Sequence, residues 1–323
     1  MRPILALTTT FLVASTTLLV ACAPGDPAAR SWEQAAQGLY TGEFSSDGNY
    51  SVVGSLNHGG SLWRTTDAER LFNWNHKQGE YSELVAAAFS PDGQRVVTTD
   101  PRTLVLWDAT TGEALSFWTT PASALDLAIG PDGRSVLIGQ TDHSAVLFDA
   151  VTGDHLKTYL HEGRVVSVGM SHDGQRALTG SEDNTAKLWD VDTGELLHTL
   201  THDNPVRVAV LSPSGGQAFT AAQGRRVCVW DAQSGERTMT LFERNPGVTS
   251  AAFSADGRYL LVGYLNRVIE LWDTSSGSLH AKWHSDTRDP WRRVGSAVLA
   301  VGFASQPGVY LAIAGDGMVS ELR

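Results

Sequence analysis

A short sequence pattern recurs along this chain at a nearly constant spacing, and that repeat constrains the fold more than any other feature. Each copy is an alternating hydrophobic run that ends in an aromatic residue, as in the "LWD" and "VWD" stretches. Successive copies are 44, 41, 41, 41 and 42 residues apart, and their aromatics are Trp63, Trp107, Phe148, Trp189, Trp230 and Trp272. A seventh unit starts at Phe303 and runs to Arg323. The chain is therefore built from six or seven versions of one structural unit.

Each unit has the pattern of four short strands. The stretch "RALTGSEDNTAKLWD" holds two alternating runs divided by a polar turn, and "GELLHTL" adds another. A further run precedes each "SPDG"-type turn, and Asp-Gly and Thr-Gly pairs suit tight reversals. Four-stranded units of about 41 residues are typical of β-propeller blades. We predict an all-β fold, a seven-bladed propeller with four-stranded blades.

The two ends of the repeat region fit together. The last unit stops at Leu322–Arg323, where a third strand would close, and "SWEQAA" at 31–36 precedes the first unit. We expect this N-terminal segment to supply the missing fourth strand, because closing the ring removes an open sheet edge.

The residues "LWD", "VWD", "SPDG" and "TGSED" resemble WD40 repeats, and the resemblance covers roughly residues 31–323. It implies a protein-interaction scaffold. It also implies that His161, Ser181, Asp183 and Trp189 form a structural hydrogen-bond tetrad. The alternative interpretation of the serine, histidine and aspartate as a catalytic triad is less favoured.

The first 21 residues combine an early arginine, an apolar stretch and small residues, which is typical of a secretory signal peptide. The "LVAC" segment resembles the lipobox of bacterial lipoproteins, which implies cleavage before Cys22 and lipid attachment to its thiol. The alternative is an ordinary signal peptide or an N-terminal anchor, with Cys22 downstream by chance. We therefore expect a signal peptide at 1–21, a linker at 22–30 and the propeller at 31–323.

The resemblance also carries expectations about location. Ala23, rather than aspartate, follows the cysteine, which implies the outer membrane, facing the periplasm, in a Gram-negative cell. In a WD-type blade the Asp-Gly and Thr-Gly turns share one face, here called the bottom. A fourth strand starts there, so we expect the chain to reach the ring from the bottom and that face to lie near the lipid.

Composition and motifs exclude several function classes. A net charge of −11 argues against binding to nucleic acid, and two cysteines cannot build a disulfide framework. The ten histidines show no paired metal spacing, and GxSxG, phosphate-loop and dinucleotide motifs are absent. We expect no catalysis, no metal and no cofactor.

From the aromatic of one unit to the start of the next "FSPDG"-type turn, the usual connection is 22 residues long. Two connections are longer, by four and nine residues, and they contain segments 73–83 and 284–296. We expect them in loops of the top face, where Trp, Tyr and Arg side chains would bind a protein partner with an acidic patch. The candidate contacts are Trp74, Tyr81, Trp291, Arg292 and Arg293. The alternative is that Trp74 and Trp291 pack on blade edges.

The function predicted from the sequence is a membrane-anchored, monomeric interaction scaffold of the cell envelope. A small-ligand binder or enzyme that uses the central channel is the alternative. The predicted channel strands, such as "VAAAF" and "VSVGM", are apolar or small with only scattered carboxylates such as Asp126, which favours the scaffold.

Overall fold

A computed structural model describes residues 25–56, 58–76, 82–242, 247–288 and 296–323. Every regular element in these residues is a β-strand, and the strands form seven sheets arranged as blades. Within the same residues, no helix has the length and apolar character needed to cross a membrane. The predicted all-β, seven-bladed propeller is confirmed.

The strands follow the repeat. Two short strands come first, β1 (Asp26–Pro27) and β2 (Arg30–Glu33). Blade 1 contains β3 (Leu39–Phe44), β4 (Tyr50–Ser55), β5 (Gly59–Arg64) and β6 (Glu69–Trp74). Blade 2 contains β7 (Ala86–Phe89), β8 (Arg95–Thr99), β9 (Thr103–Asp108) and β10 (Ala114–Thr119). Blade 3 contains β11 (Ala124–Ile129), β12 (Ser135–Gln140), β13 (Ser144–Asp149) and β14 (His155–Leu160). Blade 4 contains β15 (Val165–Met170), β16 (Arg176–Ser181), β17 (Thr185–Asp190) and β18 (Leu196–Thr201).

The remaining blades repeat this order. Blade 5 contains β19 (Val206–Leu211), β20 (Gln217–Ala222), β21 (Val227–Asp231) and β22 (Arg237–Phe242). Blade 6 contains β23 (Val248–Phe253), β24 (Tyr259–Tyr264), β25 (Val268–Asp273) and β26 (Ser278–His284). Blade 7 contains β27 (Val298–Phe303), β28 (Tyr310–Ala314) and β29 (Met318–Leu322). The first strand of each blade contacts the first strands of its neighbours around the central channel, and the last lies at the rim.

The core lies between neighbouring blades. The second strands are almost wholly buried, whereas rim strands such as β18 expose most of their residues. Leu178 and Leu188 of blade 4 pack against Val206, Ala209 and Leu211 of blade 5. Each sheet thus buries both faces against its neighbours, as expected of strands with mixed alternating and continuous apolar patterns.

The N-terminal segment closes the ring, as predicted. Strand β2 pairs antiparallel with β29, so that Arg30 faces Glu321 and Glu33 faces Met318. The strand ends at Glu33 rather than at residue 36. The Gln34 N–H donates to the Gly317 carbonyl at 2.9 Å, and the Gln34 side-chain amide donates to the Ser51 hydroxyl of blade 1 at 2.8 Å. The closing segment therefore also contacts the first blade.

A second N-terminal strand was not predicted. Strand β1 pairs parallel with the end of β26, Asp26 facing Trp283 and Pro27 facing His284, and makes blade 6 five-stranded. Part of the predicted 22–30 linker therefore lies on the ring. Strand β2 starts with Arg30 opposite Glu321, near the lower end of β29, so the chain enters that strand from the bottom, as expected. The preceding strand β1 lies beside the upper end of β26, on the rim. Which face lies near the lipid stays a prediction.

Candidate functional site

A buried hydrogen-bonded chain runs through blade 4. The Nδ1 atom of His161 lies 2.8 Å from the Asp183 carboxylate, and Nε2 lies 2.7 Å from the hydroxyl of Thr179. The same hydroxyl accepts the indole N–H of Trp189 at 2.8 Å. With a neutral histidine protonated on Nδ1, every member donates to the next, from tryptophan to threonine to histidine to aspartate.

The electrostatics agree with that proton placement. Burial lowers the pKa of His161, against the opposing effect of Asp183, so the imidazole is neutral near pH 7. Burial alone would raise the pKa of Asp183, but hydrogen bonds from Thr185, the Glu162 N–H and His161 outweigh it and lower the pKa to about 2. The Asp183 carboxylate is therefore ionised near pH 7, and both of its oxygens accept hydrogen bonds.

The assignment of Ser181 to the tetrad is wrong, since Thr179 takes that place. The Ser181 hydroxyl donates to the Gly163 carbonyl at 3.0 Å and accepts the Asp183 N–H at 3.1 Å. Both hydroxyl residues share one face of β16, but Trp189 stands opposite Ala177, and Thr179 is the nearer of the two to its indole N–H. The arrangement has no serine–histidine hydrogen bond of the kind a nucleophilic triad needs.

Blades 2 and 5 hold related networks that sequence reasoning missed or only partly saw. In blade 2 the Thr98 hydroxyl joins Nε2 of His76 and the indole N–H of Trp107, each at 2.8 Å. In that blade the carboxylate of Asp100 lies 3.6 Å from Nδ1 of His76. The recognisable signal is a threonine nine or ten residues before the blade tryptophan.

Blade 5 keeps the threonine and the histidine without the aspartate. The Thr220 hydroxyl binds Nε2 of His202 at 2.8 Å and the indole N–H of Trp230 at 2.7 Å, and Gly224 stands at the position of the aspartate. Burial lowers the pKa of His202, and likewise of His76 in blade 2, to about 4. All three networks stabilise blades from within.

The proposed partner contact at Trp74 is wrong, and the alternative, edge packing, holds. This side chain is 1% exposed, stacks on Trp107 with ring centroids 5.1 Å apart, and donates its N–H to the Gly112 carbonyl at 3.1 Å. Trp74 is the last residue of β6, so the extra residues of the connection come after it. The other candidates, Tyr81, Trp291, Arg292 and Arg293, lie outside the described residues, as does Cys22.

The ends of the two long connections are fixed to the ring. The N–H of His76 donates to Ser82 at 2.8 Å, which joins the two sides of the first connection. In the second, Thr287 donates to Asp316 at 3.0 Å, and the Asp286 N–H donates to Ser320 at 3.0 Å. Both connections therefore start from defined positions on the top side.

Asp126 and Glu43 place carboxyl groups in the central channel. Asp126 accepts the N–H groups of Leu127 at 2.9 Å and Val168 at 2.8 Å, and so joins blade 3 to blade 4. Burial raises its pKa to about 6 against those hydrogen bonds. Glu43, which sequence reasoning missed, faces the same channel, where burial, together with the charge of Asp126, raises its pKa to about 8.

Glu43 lies where two cavities of the channel meet. One has a volume of about 330 Å³ and includes Asp126, and the other, of about 540 Å³, opens among the turns of the bottom face. Most other lining groups are small or apolar. Among the described residues, no three histidine, cysteine or acidic side chains come together as metal ligands would.

Comparison with known families agrees with this geometry. The WD domain, G-beta repeat (WD40) family matches residues 75–108, 153–190, 194–231 and 235–273. These four segments of the chain are therefore similar to WD40 repeats. The matched segments contain all three threonine-centred networks of blades 2, 4 and 5. No curated protein matches the chain.

Proposed function

We propose that this protein is a monomeric, lipid-anchored interaction scaffold of the cell envelope without catalysis of its own. WD40 propellers are commonly protein-interaction scaffolds. The observation that carries the proposal is the bonding of the serine–histidine–aspartate group in blade 4, in which Ser181 binds the Gly163 carbonyl and His161 binds Thr179. Its polar groups are committed to holding blade 4, so function is left to the surface of the ring.

The partner site proposed on that surface is the pair of long top connections, with Tyr81, Trp291, Arg292 and Arg293. The described ends of both connections are bonded to the ring, which fixes where each connection leaves it. The arginine pair on a protein of net charge −11 favours a partner with an acidic patch.

Quantitative capture from solubilised native envelopes tests this site. Trp291→Ala should weaken the captured complex about 30-fold, corresponding to roughly 2 kcal/mol, at an unchanged melting temperature. Arg225→Ala, an exposed arginine on the top of blade 5, is the control and should bind normally. A lower melting temperature with unchanged capture would assign Trp291 to packing instead.

The anchor is a separate part of the proposal. If the Cys22 thiol carries the lipid, the wild-type protein should incorporate labelled fatty acid and sediment with membranes, in the outer-membrane fraction of a Gram-negative host. Cys22→Ala should abolish both. Labelling that survives this substitution would refute the lipobox assignment.

A small-ligand function of the channel is a second candidate, and Glu43 is the observation that favours it. A carboxyl with a pKa near 8 beside two cavities is the kind of perturbed group that occurs in binding sites. A thermal-shift screen with divalent metals, quinones and sugars tests it. A saturable shift that disappears in Glu43→Gln would support the channel, and no shift would reject it.

A further inference from the structure

The first described residues are tightly seated on the rim of blade 6. The Gly25 N–H donates to Nδ1 of His284 at 3.1 Å, and β1 pairs with the last two residues of β26. A Cβ atom at Gly25 would lie 2.8 Å from the backbone of Trp283, so no side chain fits there without displacing the strand. Pro27 is compatible with this position because an edge strand can lack one donor.

The contact continues across the next two blades. Ala28 packs against the cluster that contains Trp283, and the Ala29 N–H donates to Glu321 of blade 7 at 2.8 Å. The Arg30 guanidinium donates to the Thr66 carbonyl of blade 1 at 2.9 Å, and Ser31 donates to Asp286 at 2.6 Å. From Gly25 onward the chain is part of the ring rather than a free tether.

We propose that the rim of blade 6, formed by β26 with β1 beside it, faces a lipid bilayer. The inference rests on the proposed lipidation of Cys22. Only two residues separate Cys22 from Gly25, and three peptide units span at most about 10 Å. A lipid on Cys22 would therefore hold this rim within about that distance of the headgroups.

The chemistry of the rim is compatible with a bilayer surface. Leu279, near the start of β26, is 41% exposed, and two acidic groups of this blade are in ion pairs, Glu270 with Lys282 at 3.2 Å and Asp273 with Arg258 at 3.4 Å. Asp26 on β1 is exposed, and Asp286 accepts the hydroxyl of Ser31. The two ion pairs reduce the repulsion that a protein of net charge −11 would meet at an anionic surface, whereas Asp26 and Asp286 add to it.

The orientation also defines the opposite side. Blade 3 lies across the ring, and Leu160 at the end of its rim strand is 64% exposed. Residues 285–288, the described start of the top connection between blades 6 and 7, lie next to the anchor and would therefore be close to the membrane. The rims of blades 2 and 3 would point into the soluble compartment.

Site-specific quenching tests the orientation. Leu279→Cys and Leu160→Cys, each labelled with bimane, are reconstituted as the lipidated protein in phosphatidylethanolamine–phosphatidylglycerol vesicles containing nitroxide-headgroup lipid. The native Cys228 is buried and serves as the unlabelled background. We expect several-fold stronger quenching at 279 than at 160. Equal quenching, or stronger quenching at 160, would overturn the inference.

A matched pair of glycine variants tests whether the pairing of β1 with β26 causes the difference in quenching. Gly25→Val should release β1 and remove the difference between the two probes, whereas Gly216→Val, whose Cβ would meet only Ser214 at 3.3 Å, should preserve it. A difference that survives Gly25→Val would overturn the inference.

The lipid anchor is tested separately from the orientation of the ring. Wild-type protein that takes up no lipid refutes the proposed anchor, whereas lipidated, membrane-bound protein with equal quenching at both probes refutes only the orientation.

Discussion

Replacing Thr179 by valine should destabilise the protein far more than replacing Ser181 by alanine. Valine keeps the shape of threonine and removes only the hydroxyl. That hydroxyl joins the indole N–H of Trp189 at 2.8 Å to Nε2 of His161 at 2.7 Å, and all three side chains are buried. The substitution leaves two buried polar atoms without partners in one step.

The expected magnitude follows from those two atoms. An unsatisfied buried donor or acceptor costs about 1–3 kcal/mol, so Thr179→Val should lose about 3 kcal/mol of the free energy of unfolding. With an unfolding entropy of about 2.1 cal/mol/K per residue, that loss lowers the melting temperature by about 5 °C. Ser181 is buried, but Ser181→Ala removes bonds only to the Gly163 carbonyl and the Asp183 N–H, which belong to partly exposed residues that water can reach, and should cost about 1 kcal/mol.

Calorimetry of the two variants and of wild type at pH 7.5 measures the difference. Near-ultraviolet circular dichroism should show that the environment of Trp189 changes in Thr179→Val and is preserved in Ser181→Ala. The reasoning fails if Ser181→Ala has the larger effect, because the serine would then be the central member of the network.

Three further variants probe other parts of the ring. Burial holds the pKa of Glu43 at about 8, above its usual 4.5, so the folded state keeps a proton that the unfolded state loses, and stability falls as pH rises between these values. Glu43→Gln should therefore gain stability over wild type at pH 9 but not at pH 4.5, and an equal gain at both would contradict this. The pKa of His202 is lowered to about 4, so the unfolded state holds the extra proton and stability falls as pH drops from 6.5 to 4. His202→Gln should flatten that part of a melting-temperature profile, and an unchanged slope would argue against it. Trp74→Ala removes the stack on Trp107 and should cost about 3–5 kcal/mol in denaturant unfolding at unchanged partner capture. A stable variant with weaker capture would return Trp74 to the partner site.

The blade pattern could be predicted because its signals are local. Period-two alternation determines which face of a strand is buried, and the turn glycines adopt the positive φ that tight reversals need, as at Gly112 and Gly194. Ring closure was predictable from the missing strand of the last unit. These features depend on residues that are close together in sequence. The same pattern also recurs in successive units, which makes a chance match implausible.

The details of the sites depend on geometry between distant residues. Thr179 and Ser181 both carry a hydroxyl, and both side chains lie on the same face of β16. Only the position of Trp189, which is paired with Ala177 and so lies closer to Thr179, distinguishes them. The length of the connection after Trp63 does not show on which side of Trp74 the extra residues fall. The two-residue pairing of β1 carries no sequence pattern, because a glycine and a proline in a short segment also suit a loop.

The ring is reinforced by different means in its two halves. Threonine-centred networks hold blades 2, 4 and 5, whereas Trp63 of blade 1 and Trp272 of blade 6 bond to Ser61 and Glu270 of their own strands. The N-terminal segment lies on the other side, where it connects blades 6, 7 and 1 through bonds from backbone and side chains. A lipid on Cys22 would therefore transmit force directly to the strand that closes the propeller. Because that strand covers the edge of β29, detachment of the segment would both free the ring from the membrane and expose an unpaired strand, so that anchoring and fold integrity would be lost together.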